Sequence, residues 1–181
     1  MQTHKSKIKT NYKWVIKIVL ISVIASMFFT FASSEILGMA GNIVAFAILL
    51  VFICLGVLFD IIGVAVAAAQ EAPFNSMAAH RGQGAAECLK LLRNADKVSS
   101  ICNDVVGDVS GIISGATAAL IAAKLMQGFS FENLIFQLLI SGAVAGLTIG
   151  GKAVGKTVAF NNSTAIVHRV GKLISIIRIT K

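Results

Sequence analysis

Three aspartates, Asp60, Asp104 and Asp108, sit inside long apolar stretches. A carboxylate near the middle of a bilayer costs about 2.5–3.5 kcal/mol on insertion scales. A chain that keeps three must pair them, solvate them or use them on a cation. Asp104 and Asp108 are four residues apart, which puts them on one helical face. At about 1.5 Å per residue they lie about 9 and 15 Å from the basic-flanked end of their stretch. Asp60 lies about 14 Å from the corresponding end of its own stretch by the same rise. The three carboxylates can therefore meet at one depth. Asn103, Ser99 and Ser100 add neutral oxygens nearby. Hard cations such as magnesium take oxygen ligands, commonly one or two carboxylates with retained water. Asp60, Asn103, Asp104 and Asp108 are accordingly the candidate metal ligands. Lys152 and Lys156, at the end of the last apolar stretch, would tune the charge of such a site. Alternatively they pair with the same acids in an internal Asp–Lys network, and the protein is a non-transporting scaffold or partner subunit.

Other chemistries find little support. Cys54, Cys88 and Cys102 lack metal-binding spacing, and His4, His80 and His168 are scattered through polar segments. No Ser/His/Asp or Cys/His arrangement can be placed at one depth, so no enzyme is expected. Residues 150–157, GGKAVGKT, match the phosphate-loop pattern G-x-x-x-x-G-K-[ST]. That chemistry needs a preceding strand, a following helix and an acid to hold magnesium. Here an apolar stretch precedes the match, and no Asp or Glu follows Glu132. No nucleotide cofactor is expected.

The elements that position these residues follow from composition. The 181 residues are 56% hydrophobic and 13% charged, against about 25% charged in a soluble domain. The pattern predicts an all-α, polytopic membrane helix bundle with four spans, at 14–32, 43–69, 98–123 and 133–151. Between the second and third, residues 71–97 predict a juxtamembrane helix in which Leu89, Leu91 and Leu92 alternate with Lys90 and Arg93. A basic amphipathic tail follows the fourth span. The organisation is a basic N-terminus, first span and outer loop (1–42), a membrane domain (43–175) and a basic end (176–181). The first span has a rival reading as a signal peptide cleaved after Ala32-Ser33-Ser34.

With both termini inside, Lys124 is the one exception among the 16 Lys and Arg residues to a positive-inside distribution. This predicts cytoplasmic termini in an integral membrane protein, most simply of the plasma membrane. The net charge of +8 thus reflects orientation in the bilayer rather than nucleic acid.

Two segments carry a family resemblance. Residues 84–97, GAAECLKLLRNADK, resemble the "G-A…L-L-x-x-P-D-R" segment of the cyclin-M/CorB–CorC magnesium transporters. Residues 151–174, beginning GKAVGKTVAFNN and continuing through His168-Arg169-Val170, resemble that family's "G-E-I-x-P-K-x-x-A-x-x-N" ending. The resemblance covers residues 43–175. It implies a homodimeric domain of three core spans plus a belt-like juxtamembrane helix, here preceded by an extra span. It also implies magnesium as the bound or transported ion. On the resemblance, the family's cytosolic regulation is either absent here or supplied by a separate subunit. Two departures stand out: Lys152 replaces the family's Glu, and Gly155 its Pro. The family's "S-G-S-E" falls near Asp60–Val64, without Ser or Glu, and its "G-N" near Gly107-Asp108.

Overall fold

The computed structural model describes residues 12–39, 41–129 and 134–179. All regular structure among them is helical. The order is α1 (Tyr12–Met39), α2 (Asn42–Ala68), α3 (Glu71–Ala79), α4 (Ala85–Arg93), α5 (Ala95–Ser100), a π-helical segment (Ile101–Gly107), α6 (Asp108–Phe129), α7 (Leu134–Asn161) and α8 (Ser163–Ile179). Four helical stretches are long and apolar enough to cross a membrane: Tyr12–Ala32, Ile43–Ala68, Ala95–Met126 and Ile135–Asn161. The chain is an integral membrane protein.

α2 is the central helix. The third span, formed by α5, the π-helical segment and α6, packs along one side of it, and α7 along another. Two apolar clusters lock the ends. Ala45, Leu49, Ala118 and Ile121 close one end. Ala65, Val66, Phe74, Cys88, Leu92, Ala159 and Val167 close the other, joining α2 and α7 to the short helices and α8. The spans meet at small residues, as membrane helices do when packing must replace the hydrophobic effect. A Cβ built on Gly155 would stand 2.7 Å from Ile61 Cγ1, so α7 touches α2 through its backbone. α1 is peripheral. It is held near its start by Trp14, whose ring lies 5.6 Å from Lys97 Nζ, and further along by Phe29 against Phe52 at 6.3 Å.

Three expectations need correcting. The fourth span does not stop at residue 151: α7 continues to Asn161, because nothing from Gly150 to Asn161 breaks a helix that α2 supports. Residues 150–157 therefore form helix interior and no phosphate-binding loop. The juxtamembrane segment is not one helix. It breaks at Arg81 and Gly84, both with positive φ (53° and 81°), into α3 and α4. The third span starts at Ala95 rather than 98 and carries the π-helical widening, which no propensity pattern signals.

The basic tail forms α8 and lies across α4. The Cys88 thiol donates to the Val167 carbonyl at 3.4 Å in this contact. Burial pushes that thiol up from its ordinary range, so it stays protonated at neutral pH and serves packing. Substituting Gly155→Val should lower stability by about 1–3 kcal/mol through overpacking. Thermal unfolding in detergent checks this; an unchanged midpoint would mean α7 is not seated on α2 as described.

Candidate functional site

The candidate residues lie where α2 faces the π-helical segment. Gly56, Asp60 and Gly63 recur at helical spacing on one side of α2. A Cβ on Gly56 would meet Ser110 Cβ at 3.2 Å and the Gly107 carbonyl oxygen at 3.5 Å. A Cβ on Gly63 would collide with the Asn103 side chain. Asp60 is thus level with residues 103–110, between two points of near-backbone contact. It lies closer to the cluster of Ala65 and Val66 than to that of Ala45 and Leu49.

Asp60 is 4% exposed. Its Oδ2 is buried with no hydrogen-bond partner, and so is Asn103 Oδ1. Asn103 is oriented from its other end, where Nδ2 donates to Ser99 Oγ at 3.2 Å. Among the described residues no ion pair includes Asp60. Two buried acceptor oxygens therefore face the seam from opposite helices with no donor for either. Such orphans are rare, because each carries an uncompensated desolvation cost.

Asp108 and Asp104 are placed differently. Lys152 Nζ reaches from α7 to the Gly107 carbonyl oxygen at 3.2 Å and to Asp108 Oδ1 at 3.4 Å. This ion pair joins the third and fourth spans across 44 residues of sequence. Asp104 and Asp108 also line a groove of about 410 Å³ against Ser22 and Ser26 of α1. On its other side Asp108 borders a second groove, about 530 Å³, between α6 and α7. The hydroxyls of Ser114 and Thr148 in that groove are satisfied by carbonyls of their own helices.

The three carboxylates do not converge. Among the described residues no group of three or more His, Cys, Asp and Glu side chains could hold one metal ion. The physical reason is that Asp60 comes from the central helix and is buried in the seam, while Asp104 and Asp108 sit exposed on the flank of the third span beside α1. Asn103 joins Asp60's side of the seam. Lys152 joins Asp108. Lys156, one turn further, is exposed and has no ion-pair partner among the described residues.

Compared with family models, curated proteins and solved structures, the chain matches none. Any reading of the site rests on its own chemistry.

Two features escaped sequence reading. Ser22 and Ser26, four residues apart, are the hydroxyls of an apolar helix turned toward the carboxylate flank, and their spacing was the available signal. Gly63 makes room for Asn103, and a lone glycine in an apolar run gives no such sign.

Two measurements follow. Asp60→Asn puts an amide donor in the seam in place of one acceptor oxygen, so it should raise stability in cation-free buffer by about 1 kcal/mol. A lower midpoint would show that the native carboxylate has a partner. A double-mutant cycle of Lys152→Met and Asp108→Asn should give a coupling of about 0.5–3 kcal/mol; additive effects would dissolve the pair.

Proposed function

We propose that the protein binds a hard cation within the membrane, in the manner of a divalent-cation transporter, with Asp60 and Asn103 as its central ligands. The observation that carries this reading is the pair of buried, unpartnered oxygens, Asp60 Oδ2 and Asn103 Oδ1. A cation is the simplest partner for two acceptors without a donor. A π-helical segment opposite Asp60 adds weight, since such segments gather at functional sites. Magnesium is the ion that the resemblance to the cyclin-M/CorB–CorC transporters implies. It needs few protein ligands because it keeps much of its water. Asp104 and Asp108, which line a groove with Ser22 and Ser26, supply further oxygens on a neighbouring flank of the third span. Lys152 offsets the charge of Asp108. The distribution of Lys and Arg supports a plasma-membrane orientation with both termini cytoplasmic.

A specific observation favours the second reading, a non-transporting scaffold or partner subunit. Lys152 already satisfies Asp108, and Gly111, Gly115, Gly142 and Gly146 have open space beside them. Such a face suits close approach by another helix, from a second copy or a different chain.

Magnesium titration of the purified protein in detergent separates the two. On the transporter reading, magnesium raises the unfolding midpoint of the native protein, by about 2.7 kcal/mol of stability at a hundred times Kd. Asp60→Asn loses most of that gain and the Asp60/Asp104/Asp108→Asn triple variant all of it. A native protein indifferent to magnesium, or an equal shift in the triple variant, leaves the scaffold reading. Ion flux into proteoliposomes then distinguishes transport from binding alone.

A further inference from the structure

α8 is not needed to build the intramembrane seam, yet it is fixed in place. No loop separates it from the fourth span. The Asn162 amide donates to the Val158 carbonyl and the Ile166 amide to the Asn162 carbonyl, each at 3.0 Å, so hydrogen bonds run through the junction. α8 therefore starts at the level where a membrane-crossing helix ends. Its inner edge is Val167, Gly171 and Ser175, all buried and spaced by four. Contact with α4 and α2 keeps that edge turned inward.

The outer face has a basic edge and an apolar edge. At about 100° per residue, Leu173 and Ile177 lie toward one edge of it and Lys172 toward the other, with Arg169 and Ile176 between. Leu173 is 60% exposed and Ile177 63%. α8 contains no acidic residue. Arg178 reaches Glu87 of α4 at 3.5 Å, whereas Arg169 and Lys172 have no acidic partner among the described residues. Water is a poor surrounding for the apolar side, and the hydrocarbon core is a poor one for the basic side. A helix with both, pinned at the end of a span, suits the boundary between acyl chains and headgroups.

We infer that α8 is an anionic-lipid-binding helix, with Leu173 and Ile177 entering the acyl boundary and Arg169 and Lys172 holding lipid phosphates. Charge complementarity selects the lipid. The layer of residues 69–97 and 162–179 carries seven Lys and Arg against three Asp and Glu. Basic side chains at a negatively charged leaflet each strengthen attachment about fivefold. The inference is independent of what Asp60 binds.

The test is fluorescence anisotropy of dye-labelled phosphatidylglycerol and phosphatidylcholine with the full chain in nonionic detergent. The native protein should bind the anionic lipid more tightly. Arg169→Gln with Lys172→Gln should remove about thirtyfold of that preference, from the fivefold effect at each position. Leu173→Ser with Ile177→Ser should weaken both lipids and leave the preference intact. Circular dichroism and size exclusion check that each variant is folded. Equal affinity for the two lipids overturns the inference, as does an unchanged preference in the Gln variant. Full competition by soluble glycerophosphoglycerol also overturns it, because the site would then take a free phosphate ester rather than a membrane surface.

Discussion

Close approach of backbones around α2 is the constraint on which the rest of this structure depends. Inside a bilayer, burying apolar side chains gains little over leaving them in lipid, so helices associate by packing and by satisfying polar groups. α2 meets α7 where Gly155 lets Ile61 sit against the α7 backbone, and it meets the third span where Gly63 lets Asn103 lie flat on α2. These contacts bring the helices so near that whatever points into the seam is cut off from its surroundings. Asp60 points there. Its burial is a consequence of the same packing that holds the bundle together.

That arrangement sets two carboxylates on opposite electrostatic footings. Asp108 has a lysine from another span, and the pair crosslinks helices as well as balancing charge. Asp60 has no such counterpart among the described residues. A fold selected only for stability would more simply have Asn or Leu at this position, since an unpaired buried acceptor costs free energy and contributes no packing. Retained cost of this kind is characteristic of sites whose partner arrives from outside. The neighbouring π-helical segment fits the same pattern: it widens the helix opposite Asp60, and it ends at Gly107, whose carbonyl accepts from Lys152.

The layer at the basic end has a different logic. α3, α4 and α8 bury Phe74, Cys88 and Val167 against the ends of α2 and α7. This cluster is an apolar core at the ends of two spans, where α2 and α7 meet the short helices. It explains why Cys88, alone in a basic segment of the sequence, is fully buried and unreactive in character. The positive φ at Gly84 turns the chain so that α4 can lie under α8.

Hydropathy and charge alone determined that the chain is all-α, that four stretches are long and apolar enough to cross a membrane and that one end is basic. Each of these is a sum over many residues, so errors at single positions cancel. The α8 tail was legible for the same reason: Ile166, Val170, Leu173 and Ile177 recur at helical spacing. The sequence also marked Asp60, Asn103, Asp104 and Asp108 as residues needing an explanation, because charge in an apolar run is costly wherever the helices go. Their partnership was decided only by tertiary structure. Periodicity gives the depth of a side chain and its face on its own helix. It does not give the rotation of one helix against another, which here is set by contacts as local as Gly63 on Asn103 and Gly155 on Ile61. That rotation sends Asp60 into the seam, leaves Asp104 and Asp108 exposed beside Ser22 and Ser26, and brings Lys152 to Asp108 and the Gly107 carbonyl.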